Sequence, residues 1–202
     1  MNGIGVIIGP NTKREAIEIK PHNVQVFVAE ENLVTISQPV VASSTLAVTG
    51  VATFAAAPVF SAGQKQPAIS GQGATRTLLA SESGSVVLFD RAAGIVYTLP
   101  APSAGMFFDF FVTVTITSNA AKVITDAGTT LLQGTILGSN SSTGAITGFF
   151  GNGTTHISVS MNGTTTGAIF GTWLRFTAVS GTLWEVEGMD QATVPATPFA
   201  TS

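Results

Sequence analysis

The chain has 202 residues, enough for one good-sized domain or for a small domain with an arm and a stalk. Hydrophobic residues make up 45% and charged residues only 9%, which argues for a packed core and against global disorder. The net charge of −3, without a basic block, leaves out the electrostatic footprint of a nucleic-acid binder, and the absence of cysteine excludes a disulfide framework and any Cys-ligated zinc.

Residues 1–14 read as an arm. Met1–Pro10 has a short apolar run with no basic region before it, too short and too Gly-rich for a signal peptide. From Glu15 the pattern alternates. Ile17 and Ile19 share one face, Pro21-His22-Asn23 makes a turn, and Val24, Val26 and Val28 alternate with polar partners apart from Phe27. Glu30-Glu31-Asn32 gives a second turn, and Val34 and Ile36 follow it. Three short strands cannot bury a core alone. Residues 1–40 are therefore expected to be a β arm that needs another subunit or a foreign sheet edge.

Residues 41–74 read as an extended stalk or linker. Within TLAVTGVATFAAAPVFSAG, Val48, Phe54 and Phe60 fall six residues apart among small residues. That period does not suit an α-helix. It suits three chains winding together with these side chains on the axis, and equally a plain linker. The uncharged run Thr45–Gly63 alternates with Thr, Ser and Gly and is broken by Pro58, so it is expected to be extended chain and not a membrane span.

Residues 75–190 are the expected main domain. Strand candidates are Ser85–Asp90, Ile95–Leu99, Phe107–Thr117, Ala121–Ile124, Thr129–Leu137, Ala145–Phe150, His156–Met161, Ala168–Ala178 and Thr182–Glu187. Short strands with frequent turns predict an all-β fold, a sandwich or barrel. The dipeptides Asn152-Gly153 and Asn162-Gly163 predict hairpin turns. Residues 191–202, rich in Pro, Thr and Ala, are expected to be a flexible tail. No charged residue lies between Glu31 and Lys65, or between Asp126 and Arg175. Such a surface is poorly protected against association, which favours life inside an assembly.

Few side chains could do chemistry. His22 and His156 are far apart in sequence and match no metal-ligand spacing. Asp90 and Asp109 could pair as acid and base, but Asp90 opens the turn Arg91-Ala92-Ala93-Gly94, where Asp commonly caps backbone. Glu185 and Glu187 should share one strand face and be solvated. Gly71-Gln72-Gly73-Ala74-Thr75-Arg76 lacks the Lys and the helix of a phosphate loop. The sequons at Asn140, Asn152 and Asn162 read as turn chemistry. Neither a Gly-x-Ser-x-Gly elbow nor a His-Glu-x-x-His motif is present. The expectation is a protein that is not an enzyme and takes no cofactor or metal.

The run TRTLLASESGSVVLFDRAAGIVYTLPAPSAGMFFDF, with Thr77, Leu78, Ser83, Gly84, Phe89, Asp90, Gly94, Leu99, Pro100, Pro102 and Gly105, resembles a module of tailed-phage virion proteins, of the aquatic-phage type. TLWEVEG, with Trp184, Val186 and Gly188, looks like that module's last strand. LAVTGVATF resembles repeats of phage fibre and decoration proteins. The resemblance implies a capsid decoration (cement) or head-fibre protein: a homotrimer on the outer surface of the virion head, bound to the major capsid protein and assembled in the host cytoplasm. It would project the 75–190 domain as a β knob, with no nucleic-acid or membrane partner. In that reading Ile17, Ile19, Val24, Val26 and Val28 make the capsid or trimer contact. The alternative is a tail-fibre or tailspike subunit that binds host-surface glycan, with Trp173 or Trp184 supplying the aromatic platform. A carbohydrate-active enzyme would need two carboxylates in one cleft.

Overall fold

A computed structural model describes residues 18–20, 24–26 and 66–202. The chain divides into two units, Met1–Val59 and Phe60–Ser202. In the first, β1 (Glu18–Lys20) pairs antiparallel with β2 (Val24–Val26), Ile19 standing opposite Gln25. This agrees with strands on either side of Pro21-His22-Asn23. The positions of Ile17, Val28, Val48, Phe54 and Phe60, and the strand expected around Val34 and Ile36, lie outside the described residues.

The second unit is a two-sheet sandwich without an α-helix among the described residues. Its strands are β3 (Ala68–Ile69), β4 (Thr75–Thr77), β5 (Val86–Phe89), β6 (Val96–Thr98), β7 (Phe107–Val112), β8 (Ala121–Ile124), β9 (Leu131–Asn140), β10 (Ile146–Asn152), β11 (Ser158–Met161), β12 (Trp173–Ala178), β13 (Leu183–Ala192) and β14 (Phe199–Ala200). A seven-stranded sheet has the order β10-β9-β13-β12-β7-β5-β3, and a five-stranded sheet the order β14-β11-β8-β6-β4.

From β3 to β8 the chain crosses to the other sheet after every strand. Each strand then lies parallel to the one two before it, as in β3–β5–β7 and β4–β6–β8. These are coils of a parallel winding, laid side by side. The later strands close the sandwich mostly antiparallel: β12 on β7, β13 on β12, β11 on β8 and β14 on β11. One long parallel ladder joins β13 to β9.

Period-two alternation directs the core. Phe108, Phe110 and Val112 of β7 point inward with Leu174, Phe176 and Ala178 of β12 and Trp184 and Val186 of β13. Phe89, Tyr97, Phe110 and Phe176 pack edge-on or tilted, with centroids 5.2–5.9 Å apart. Each fully buried aromatic contributes roughly 2–3 kcal/mol through lost apolar surface. The Tyr97 hydroxyl is satisfied by donating to the Leu88 carbonyl at 2.8 Å. Burial, with the Asp90 charge added, pushes its pKa up to about 12.

Three expectations need correction. Residues 191–202 are not a loose tail. β13 runs to Ala192, and β14 pairs with β11, with Phe199 5% exposed and stacked on His156. Lys122 Nζ and Ser158 Oγ both donate to the Ser202 carbonyl. The folded unit also begins before residue 75, since β3 carries the core residue Ile69 within the expected stalk. Third, Asn152-Gly153 and Asn162-Gly163 do not close hairpins. They join β10 to β11 and β11 to β12, strands of opposite sheets.

The turn chemistry itself is as expected. Asn140 Oδ1 accepts from the N–H of Ser142 and Thr143, Asn152 Oδ1 from Thr154, Thr155 and His156, and Asn162 Oδ1 from Thr164, Thr165 and Thr166. Each Asn side chain thus substitutes for backbone partners in a corner. Asn162→Ala should cost about 1–2 kcal/mol, the net worth of the lost bonds, read as a lowered urea midpoint at unchanged slope.

Candidate functional site

The side chains opposite the core cover the outer face of the seven-stranded sheet. Strand register sorts them into rows, because residues paired across strands share a face. One row is apolar throughout: Leu88 of β5, Phe111 of β7, Trp173 of β12, Met189 of β13 and Leu137 of β9 are consecutive partners. Phe111, Trp173, Met189 and Leu137 remain 41%, 39%, 39% and 40% exposed. Gly148 ends the row on β10.

The adjacent row is charged. Asp109, Arg175, Glu187 and Thr135 are consecutive partners, with Val86 at one end and the exposed Phe150 at the other. Arg175 meets Asp109 with two parallel bonds, Nε to Oδ1 at 2.6 Å and Nη2 to Oδ2 at 2.7 Å. Its guanidinium also lies 5.1 Å from the centre of the Phe107 ring. Donating to the Asp109 carboxylate raises the Arg175 pKa, so the cation is fixed. A third row runs Phe107, Thr177, Glu185 and Gln133, whose Nε2 donates to Glu185 Oε2 at 2.6 Å.

The sequence candidates fall into this frame. Glu185 and Glu187 do share the outer face. Asp90 does not cap its own turn: Oδ2 accepts from the Gly71 N–H at 2.5 Å and ties down the Gly-rich loop. Asp109 is held by Arg175 and is not paired with Asp90. Arg76, at the end of that loop, is engaged by Gln72 Oε1 and the Glu82 carboxylate beside a shallow cavity of about 340 Å³. His156 packs on Phe199, and its Nδ1 accepts from the Asn152 N–H. His22 lies outside the described residues. Among the described residues no three His, Cys, Asp or Glu side chains cluster as metal ligands. Nor is any described helix long and apolar enough to cross a membrane.

The two tryptophans differ. Trp184 is fully buried against Phe108 and can offer no platform, whereas Trp173 stands on the outer face beside Phe111.

Asp190 lies beyond the strand expected at Thr182–Glu187, on the part of β13 that runs on to Ala192. Its side chain points inward from β13 and is 0% exposed. Oδ1 accepts from the Thr172 hydroxyl at 3.2 Å, and Oδ2 has no partner among the described residues. Burial pushes its pKa up to about 6, against the opposing pull of bonds from Thr172, Ala168 and Gln191. Beside it Ala168 takes φ +65°, unusual for a residue with a Cβ.

No protein-family model, no curated protein and no solved structure matches the chain.

Proposed function

We propose that the chain is a non-enzymatic structural subunit of a virus particle, one that binds the assembled capsid surface through residues 1–40 and displays the β sandwich outward. One observation carries the assembly part of this reading: the apolar row Leu88–Phe111–Trp173–Met189–Leu137 on the solvent side of a sheet. Contiguous exposed apolar surface of this kind marks interaction sites on soluble proteins. Placement on a virus head comes from the resemblance of residues 75–110, which also implies a trimer and the major capsid protein as partner. In this reading Ile17, Ile19, Val24, Val26 and Val28 grip the capsid or the sister chains, and Val48, Phe54 and Phe60 line the axis of a stalk.

The test is co-sedimentation with expanded heads of the virus that encodes the chain. The full chain should pellet with the heads, and a chain lacking residues 1–40 should stay in the supernatant. Decoration by the shortened chain would overturn the assignment.

A second reading has its own observation. Trp173 and Phe111 form an exposed aromatic pair beside Glu187 and the Arg175–Asp109 ion pair, groups that suit the apolar face and the hydroxyls of a sugar. This would fit a tail-fibre or tailspike subunit that binds host glycan. A few copies per particle, together with Trp173-dependent binding to host polysaccharide, would favour it over hundreds of copies on the head.

A further inference from the structure

The geometry points to the outer face of the seven-stranded sheet as a contact between two copies of this chain, docked face to face about a two-fold axis close to the strand direction. This rests on the reading of the chain as an assembly subunit and names the partner of that surface.

Three observations converge on a second copy. The first is residue type. Trp, Phe, Met and Arg are the side chains enriched where protein interfaces bury most of their energy, and here they sit on neighbouring strands as Trp173, Phe111, Met189 and Arg175. Aliphatic Met189, Leu137 and Leu88 extend the row well beyond the aromatic pair, which suits a protein surface more than a sugar.

The second is extent. Six strands at about 4.8 Å spacing and three rows make a face of roughly 25 Å by 20 Å, so a pair would bury on the order of 1,000 Å². That reaches the lower bound for a specific interface.

The third is self-complementarity. Place the axis between β12 and β13. Rotation then exchanges β12 with β13 and β7 with β9, while each row keeps its height. Arg175 faces the partner's Glu187, Trp173 faces the partner's Met189, and Phe111 faces the partner's Leu137. Within one chain the central cation is flanked by Asp109 and Glu187, so the charged row presents both signs. No like charges meet across the axis in this arrangement. Aligned packing of two twisted sheets is the ordinary geometry of a sandwich core. A three-fold contact made by other residues is compatible with it, and the two-fold face would then link one trimer to the next.

The test uses sedimentation velocity of the full chain over a wide concentration range. Wild type should associate reversibly. Met189→Glu and Trp173→Glu should each weaken association by at least about thirtyfold, with Val194→Glu, exposed but off the face, as an unchanged control. In the wild-type chain, peroxide oxidation of Met189 should slow as concentration rises while that of buried Met161 does not respond, a readout that needs no variant. A wild-type chain that does not self-associate, or association that the face variants leave intact, overturns the inference. Loss of polysaccharide binding in Trp173→Glu, in a chain that never self-associates, overturns it in favour of glycan. Head binding is scored separately. Heads decorated by a chain whose face variants associate normally would sink the face and spare the virion reading. A face-dependent pair that ignores heads would do the reverse.

Discussion

Replacing Gly134 with alanine should destabilise the sandwich by about 3 kcal/mol or more, the combined cost of backbone strain and overpacking. Gly134 lies inside β9 opposite Val186 of β13. It takes φ +117°, a conformation L residues avoid, and a Cβ there would overlap the Val186 carbonyl oxygen. Backbone cannot swing aside as a side chain can. Relief would require β13 to move, and β13 carries Trp184 and Val186, both fully buried. The parallel β9–β13 ladder joins the two longest strands of the large sheet, so its loss would also scatter Leu137 and Met189 of the outer row. Gly128→Ala is the matched control. Nothing lies within 4 Å of a Cβ built there, and its φ is not in the left-handed region. That variant should unfold within about 1 kcal/mol of wild type, or slightly above it. Urea unfolding of the two variants gives the comparison. A Gly134→Ala chain as stable as wild type would mean that β9 and β13 are not packed as described.

Much of the strand content was legible because one face of each long strand is apolar. Ala121–Ile124 agrees at both ends, and Phe107–Val112 and Trp173–Ala178 lie within the expected spans. The two-residue strands β3 and β14 were not legible, since so few residues carry no period. Their existence is decided by edges supplied by β5 and β11, far along the chain. The sheet-to-sheet winding was hidden for a related reason. Asn-Gly marks a tight reversal, but whether the next strand pairs with the last or crosses to the other sheet is a tertiary choice.

The outer face was partly readable. In WLRFTA the residues Trp173, Arg175 and Thr177 alternate with Leu174, Phe176 and Ala178, which by itself separates Trp173 from the buried Trp184. Which residues meet across strands was not readable, because the row depends on five registers at once, two of them parallel. Asp190 falls in phase with Trp184 and Val186, so its inward position was implicit. It went unnoticed because the expected strand stopped at Glu187.

Asp190 should contribute more to the stability of the sandwich in mild acid than at neutral pH. Its folded-state pKa of about 6 lies above the 3.8 of an ordinary aspartate. Between those values the folded protein holds a proton that the unfolded chain has released. Stability therefore rises as pH falls through that window, the reverse of a salt-bridged aspartate. Going from 3.8 to about 6 corresponds to roughly 3 kcal/mol at most, fully present below the unfolded pKa and lost as pH rises through the folded one. The cause is desolvation: the group is 0% exposed, and among the described residues Oδ2 has no partner and no cation offsets the charge. Asp190→Asn keeps the shape and the acceptor for Thr172 while removing the ionisation. Unfolding free energies of wild type and variant, measured at a series of pH values from mildly acidic to neutral, isolate this group from all other titrations. The difference, wild type minus Asn variant, should be most favourable in acid and fall as pH rises through about 6. A difference independent of pH would mean that Asp190 is solvated or paired with a cation, and that the corner formed by Ala168 and Thr172 is open to water.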